Sequence, residues 1–312
     1  MIPISAILPV RNAARWLPNT FPSVLANLET TDELIVIDDG STDSSLSIIK
    51  KLSKDRELRI LNGKGKGLVH ALNLGLEFAS QQWIARFDAD DVYPTHRLQL
   101  QRVQFSTNLG VIFSDYEIFL NGKNSLGIIP SPVFDFPTRL SLLRSQRTAH
   151  PSAILNKSMA CAVGGYRESD FPAEDLSLWL RIARVGKLES IPHIGLKYNL
   201  NTNSISSTRY LQAKEKTIEL VKTALDSDFL NEFHVNEIES ILNDYNGLTL
   251  SEERRALHVY DLLNRDFFNR RTSQEKKSIL YAAVREVSRP KSVIAASNLL
   301  FESLKRRFAR IV

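Results

Sequence analysis

The first hundred residues alternate short apolar runs with segments of helical periodicity, and this alternation constrains the fold more than any other feature of the sequence. Near-continuous apolar strands joined by helices are typical of a parallel sheet covered on both faces. The sequence therefore predicts an α/β fold whose ligand crevice lies at the carboxyl ends of the strands. The predicted strands are 4–10, 34–37, 58–61 and 83–87, and the predicted helices are 15–28, 44–52 and 67–80.

The pattern changes twice further along the chain. Between about 111 and 205 it consists of short strands and loops, which include the apolar segments 111–119 and 152–157. From about residue 210 onward it is almost entirely helical, with apolar residues at three-to-four spacing. The sequence therefore predicts a domain over residues 1–210 and a C-terminal helical region over 211–312. The helices predicted in that second region are 211–225, 231–242, 251–268 and 273–287.

Composition excludes several classes of protein. The single cysteine, Cys161, rules out an intramolecular disulfide and a cysteine-rich zinc site, so a reducing compartment is the natural expectation. The amino terminus lacks a basic region before its apolar stretch, and no run approaches the roughly 18 apolar residues of a membrane span. We expect a cytoplasmic protein. A net charge of +5 does not by itself indicate nucleic acid, and no motif supports such a partner.

Two acidic clusters follow two of the predicted strands. Asp38 and Asp39 come directly after the apolar run 34–37, and Asp88, Asp90 and Asp91 follow the run 83–87. Solvated turns are one interpretation, since Asp is common in loops. Carboxylates that leave the same edge of one sheet also suit a hard divalent cation, which oxygen ligands hold. The convergence of two clusters at one edge favours a binding crevice over surface decoration.

A third acidic pair begins a predicted helix. Glu174 and Asp175 precede an apolar stripe that contains Trp179, which we expect in the core. A carboxylate at a helix N-terminus is either a cap or, in a crevice, a group for proton transfer. The glycine-rich segment 62–73 has neither the P-loop nor the dinucleotide-turn spacing. It is either a solvated loop or a basic loop that meets a diphosphate.

Four motifs in order, ILPVRN, IVIDDGSTD, ARFDADD and EDLSLWLR, resemble those of the family-2 glycosyltransferases. The resemblance covers roughly residues 4 to 205. It implies a GT-A fold, with a Rossmann-like mixed or parallel sheet flanked by helices, and inverting transfer from a nucleotide sugar. It also implies Mn²⁺ or Mg²⁺ as the cofactor, held by Asp90 with Asp88 and Asp91. Asp175 is the implied general base, and Glu174 its helper or an acceptor contact.

The resemblance assigns further residues to the substrates. His150, expected at the start of a strand, and Tyr166 are implied contacts of the acceptor, and His150 alternatively of the metal. A structural role for this histidine stays open. The residues implied for the donor nucleotide are Pro9, Arg11, Asn12, Asp38, Asp39, Lys66, Gly67, Asn73, Asp88 and Ala89.

The expected function is sugar transfer from a nucleotide donor, with UDP as the expected nucleotide, to a hydroxyl of a glycan or lipid-linked acceptor in cell-surface polysaccharide synthesis. A non-catalytic nucleotide-sugar-binding protein and a sugar nucleotidyltransferase are the alternatives. The basic segment 285–312 suits peripheral contact with the inner face of an anionic membrane. Packing on the catalytic domain and an oligomer contact are its other interpretations.

Overall fold

The computed structural model describes residues 1–226 except 55, 134, 143–147, 201–203 and 205–207. The predicted helices 231–242, 251–268 and 273–287 and the basic segment 285–312 lie outside the described residues. No helix in the described part of the chain is both long and apolar enough to cross a bilayer.

Strands and helices alternate through the first hundred residues, as predicted. The strands are β1 Ile4–Val10, β2 Glu33–Asp38, β3 Arg59–Asn62, β4 Trp83–Arg86, β5 Leu109–Leu120, β6 Asn124–Ile129, β7 Ile154–Asn156 and β8 Lys187–Leu200. The helices are α1 Leu17–Leu25, α2 Ser45–Ser53, α3 Leu68–Phe78, α4 Arg97–Arg102, α5 Asp135–Leu142, α6 Lys157–Ala162, α7 Glu174–Ile182 and α8 Tyr210–Asp226.

The described strands form one mixed sheet in the order β3-β2-β1-β4-β7-β5-β6, and β8 pairs with β5. The first four strands of that order are mutually parallel. The short β7 then runs antiparallel to both β4 and β5, and β8 runs parallel to β5. The mixed sheet flanked by helices confirms the predicted fold class.

Each face of the sheet carries its own hydrophobic core. On β1, Ile7 contributes to one face, packed with α3 and α7, while Ala6 and Leu8 contribute to the other, packed with α1, α2 and α4. This alternation follows from the period of two in a strand, whose successive side chains point to opposite faces. Because helices cover both faces of the sheet, every residue of β1 is buried, and the strand is apolar at every position except Ser5.

Two local expectations need correction. His150 does not begin a strand, because residues His150–Ser152 form a turn of 3₁₀ helix and β7 starts only at Ile154. Pro151 lies in this turn, where a residue without an N–H is tolerated and a central strand would not accept it. The first helix is shorter than the predicted 15–28, since it begins at Leu17 with a proline in its first turn and ends at Leu25.

The first helix of the region assigned to 211–312 packs against the preceding domain. Leu220, Val221 and Ala224 of α8 join the core that contains α7. Other residues of α8 line a cleft at the edge of the sheet, described next. This part of the helical region therefore contributes to the same structural unit as the α/β domain.

Candidate active site

A cleft of about 1120 Å³ opens at the carboxyl ends of β1 and β4. The acidic clusters meet there because β2 and β4 flank β1 in parallel, so all three strands end at one edge of the sheet. Ligands of α/β folds bind at this edge. Of the residues predicted for the site, the cleft is lined by Pro9, Arg11, Asn12, Asp39, Gly67, Asp88, Ala89, Asp90, Asp91, His150, Glu174 and Asp175.

Asp39 forms the polar end of the cleft nearest β1 and β2. Its carboxylate is buried and accepts the backbone N–H of Gly67 at 3.0 and 3.2 Å from its two oxygens. The guanidinium of Arg11 lies 3.4 Å away and is itself largely exposed. Gly67 has a φ of +102°, which permits the sharp turn that starts α3. The turn brings the amino end of α3 beside a buried carboxylate.

The acidic loop after β4 is organised by a buried arginine. Arg86 is 2% exposed, and its guanidinium Nη2 lies 2.6 Å from Oδ1 of Asp88, which remains open to the cleft. Asp91 is buried, and one of its carboxylate oxygens accepts the backbone N–H of Asn199 at 2.7 Å. Burial and then repulsion from Asp90 and Asp88 raise the pKa of Asp91 well above its usual range. Three carboxylates are thus held close together against their mutual repulsion.

This loop fits a divalent cation of the kind that also binds phosphates. Within the described ranges, no group of three or more acidic, histidine or cysteine side chains is placed to hold a metal ion by itself. An open site is what Mg²⁺ and Mn²⁺ require at diphosphates, since such ions take one or two carboxylates and leave their other positions to phosphates and water. All three aspartates line the cleft, but Asp91 is only 1% exposed and accepts the backbone N–H of Asn199 in β8. The excess negative charge here is what a bound cation would neutralise.

Glu174 and Asp175 begin α7 and face the cleft, as their position in the sequence suggested. The backbone N–H of Leu176 donates to Oδ1 of Asp175 at 2.7 Å. Burial, and then repulsion from Asp175, raises the pKa of Glu174 to about 8. Burial also raises the pKa of Asp175, against the lowering effect of Arg86. Glu174 therefore holds a proton at neutral pH.

Beneath this pair lies a hydrogen-bonded chain from α3 to the cleft. Nε2 of His150 is 2.8 Å from the hydroxyl of Tyr166. The backbone of Tyr166 is held by the side-chain amide of Asn73, which accepts its N–H and donates to its carbonyl oxygen, both at 2.9 Å. Burial, and then the nearby Arg86, lowers the pKa of His150 well below its usual range, so its imidazole is neutral. Trp179 packs edge-on to His150 and is fully buried, so the expectation of a core residue is confirmed.

Four of the predicted residues do not line the cleft: Asp38, Lys66, Asn73 and Tyr166. Asp38 accepts the backbone N–H of Ser41 at 3.2 Å and so organises its own turn. Lys66 is exposed. Asn73 and Tyr166 lie behind the wall formed by His150, in the hydrogen-bonded chain just described.

The cleft also contains residues that sequence reasoning missed. The arginine at 86 carried a usable signal, because a charged residue ending an apolar run next to three carboxylates is a candidate ion-pair partner. The others come from distant segments whose approach no local pattern indicates. The cleft residues that were not predicted include Arg86, Tyr116, Ile118, Asn121, Thr148, Tyr198, Asn199, Arg209, Tyr210, Lys214 and Thr217.

Comparisons with known proteins agree with this architecture. Residues 5–156 match the family model described as Glycosyl transferase family 2. An uncharacterized glycosyltransferase of Haemophilus influenzae is 28% identical over 251 residues, which cover 75% of this chain and 76% of the relative. The UDP-Glc:alpha-D-GlcNAc-diphosphoundecaprenol beta-1,3-glucosyltransferase WfgD of Escherichia coli is 26% identical over 267 residues, covering 84% of this chain and 97% of the relative.

Two solved structures share the fold. S. aureus TarS in complex with UDP-GlcNAc superposes with a TM-score of 0.60 at 17% identity, covering 98% of this chain and 92% of the other. The mannosyltransferase PcManGT of Pyrobaculum calidifontis, in complex with GDP-Man and Mn²⁺, gives a TM-score of 0.52 at 14% identity, covering 92% and 88%. Likeness at this identity extends to the arrangement of the sheet and helices.

Proposed function

Because this chain belongs to the family-2 glycosyltransferases of GT-A fold, we propose that it transfers a sugar from a UDP-linked donor to a hydroxyl of a lipid-linked glycan, with inversion at the anomeric carbon. One observation carries the proposal. The Glu174–Asp175 pair faces the same cleft as Asp39, Asp88 and Asp90, so a proton acceptor and a diphosphate site share one cavity.

The donor is assigned to the end of the cleft nearest β1 and β2. The buried carboxylate of Asp39 suits the hydrogen-bond donors of a uracil or ribose, and the N-terminus of α3 suits negative charge. Asp88 and Asp90 would hold the cation beside the diphosphate. A cation bound there supplies charge neutralisation to the leaving nucleoside diphosphate, a contribution of several kcal/mol.

Asp175 is assigned as the general base. As the acceptor oxygen bonds to the anomeric carbon, its proton passes to the carboxylate of Asp175. The bond between the anomeric carbon and the phosphate oxygen breaks, and the nucleoside diphosphate leaves with that electron pair. A single displacement inverts the configuration. The raised pKa of Asp175 suits proton abstraction near neutral pH, and a Glu174 that is already protonated does not compete for that proton.

The acceptor class follows from relatives. WfgD and a second glucosyltransferase of Escherichia coli, WfaP, are named for UDP-glucose as the donor and a GlcNAc-diphosphoundecaprenol acceptor. WfaP is 28% identical to this chain over 214 residues. An acceptor of this kind places the reaction at a membrane surface, which is consistent with the predicted role of the segment 285–312. Surface polysaccharide synthesis is the corresponding pathway class.

The test is release of nucleoside diphosphate from a panel of UDP- and GDP-sugars, with a GlcNAc-diphospho-lipid acceptor and with Mn²⁺, Mg²⁺ or EDTA. We expect one UDP-sugar to turn over only with a cation, and D90A and D175N to lose at least about 100-fold in kcat. E168Q, on the exposed turn before α7, is the matched control and should retain activity. Turnover that survives EDTA and D90A would refute the metal assignment. Cation-dependent UDP-sugar binding without any transfer would instead favour a binding protein, and synthesis of the nucleotide sugar would favour a nucleotidyltransferase.

A further inference from the structure

Two uncharged residues that line the cleft contain buried polar atoms without a hydrogen-bond partner in the part of the chain that the structure describes. These atoms are Oγ1 of Thr148 and both side-chain amide atoms of Asn199, in residues that are 4% and 5% exposed. Both residues line the cleft. Folded proteins rarely leave such atoms unpaired, because the desolvation cost is not repaid. Unpaired atoms in the wall of a substrate cleft therefore indicate groups whose partners arrive with a ligand.

The backbone of Asn199 is hydrogen-bonded to the acidic loop that follows β4. Its N–H donates to Asp91 at 2.7 Å, and two steps earlier the backbones of Lys197 and Val92 exchange hydrogen bonds of 2.8 and 3.1 Å. The end of β8 thus lies directly against the loop that carries Asp88 and Asp90. A ligand that meets Asn199 is therefore close to the predicted diphosphate site.

Two aromatic residues line the same cleft. Tyr116 of β5 and Tyr198 of β8 line the cleft, with ring centroids 6.2 Å apart in an edge-to-face arrangement. An amide supplies both a donor and an acceptor, a hydroxyl supplies either, and aromatic rings supply apolar contact area. This combination matches a pyranose, which presents hydroxyls at its rim and C–H groups on its faces. It matches a diphosphate poorly, since Tyr116, Tyr198, Thr148 and Asn199 carry no positive charge.

We propose that Thr148, Asn199, Tyr116 and Tyr198 form a saccharide subsite that selects a sugar by its hydroxyl pattern. The inference rests on the proposed glycosyl transfer and deepens it by naming residues that read the sugar. A pyranose enters this cleft from two sources, the donor sugar and the first sugar of the acceptor. Both present the same chemistry, and the experiment below separates them.

The test uses isosteric variants with two readouts. T148V and N199L replace polar atoms that are unpaired in the free protein with apolar ones, so each should raise the Tm by about 2–4 °C. The same variants should weaken sugar recognition at least about 10-fold, because the ligand's hydroxyls lose their partners. T148S keeps the hydroxyl and should retain most of the affinity. A structural role alone predicts the opposite sign for the change in Tm.

Thr138 provides the matched control. Its buried hydroxyl donates to the carbonyl of Pro132 at 2.9 Å, away from the cleft. T138V should therefore lower the Tm, because that carbonyl loses its hydrogen bond, and leave sugar affinity unchanged. The contrast between two buried threonines separates removal of a paired hydroxyl from removal of an unpaired one.

Two measurements distinguish the donor sugar from the acceptor sugar. Calorimetric titration gives the affinities for UDP, UDP-glucose and UDP-GlcNAc, and steady-state kinetics gives the KM for a GlcNAc-diphospho-lipid acceptor. Loss of UDP-sugar affinity with UDP affinity unchanged assigns the subsite to the donor. A raised acceptor KM with donor affinity unchanged assigns it to the acceptor. Unchanged affinities and KM in T148V and N199L, with an active wild type, overturn the subsite alone. A wild type that neither binds nor turns over any UDP-sugar overturns the proposed function, and the subsite with it.

Discussion

Replacing Glu174 with glutamine should make the folded protein more stable, and increasingly so as the pH rises. Glu174 is 6% exposed, and its pKa is raised from an ordinary 4.5 to about 8, first by burial and then by the charge of Asp175. Between these two values the folded protein binds more protons than the unfolded chain does. The stability of the wild type therefore falls as the pH rises through this window.

The magnitude follows from the pKa difference. Each pKa unit corresponds to about 1.4 kcal/mol. The penalty that the raised pKa of Glu174 imposes on the free energy of unfolding is therefore about 3 kcal/mol at pH 7 and about 5 kcal/mol well above pH 8. Below pH 5 it is under about 1 kcal/mol. Glutamine has nearly the same shape and does not ionise, so E174Q escapes this penalty. The gain in stability over wild type should follow the same curve.

Urea unfolding at pH 5, 7 and 8.5, monitored by tryptophan fluorescence, measures this difference. Trp83 and Trp179 are buried in the two cores, so their emission reports loss of both. EDTA is included throughout, because a cation bound at the acidic loop would add its own stabilisation. E168Q, an exposed neighbour on the preceding turn, controls for a change in net charge.

A difference between E174Q and wild type that stays constant from pH 5 to 8.5 would show that Glu174 does not hold a proton in the folded protein. A loss of stability in E174Q at pH 8.5 would show that its negative charge is needed for folding. Either result would also remove the argument that a protonated Glu174 leaves the role of proton acceptor to Asp175.

Two further predictions concern the framework of the site. D32A should cost about 3–5 kcal/mol in the free energy of unfolding, because it leaves the buried guanidinium of Arg102 without its carboxylate partner; a cost below about 1 kcal/mol in urea unfolding would contradict this. G75A should lower the Tm, with a cost of about 1–2 kcal/mol after the gain in helix propensity. The added Cβ would lie 2.7 Å from Cγ2 of Ile7, on a strand that has no room to move. A Tm equal to or above that of wild type would show that α3 shifts freely on the sheet.

Local pattern predicted much of the fold and part of the site. The α/β fold could be predicted from the apolar runs at β1, β2 and β4 and from the helical spacing of apolar residues between them. A strand that is buried on both faces is apolar along most of its length, so its burial is visible in the local sequence. The meeting of Asp39 with Asp88 and Asp90 followed from parallel strands ending at one edge. The position of Glu174 and Asp175 at the start of α7 followed from the apolar stripe behind them.

The tertiary structure alone decided which of these side chains face the cleft. Asn73 belongs to a segment predicted to contact the donor, yet its amide is committed to the backbone of Tyr166, 93 residues away in the chain. Asn199 belongs to no recognisable motif. It lies beside the acidic loop because β8 pairs with β5 and because its own backbone N–H donates to Asp91. Periodicity reports whether a residue is buried, but not which distant segment buries it. The sequence by itself therefore determined which edge of the sheet forms the cleft and that this edge is acidic. Long-range strand pairing decided that Asn199 lies at the cleft, where it is proposed to recognise the sugar.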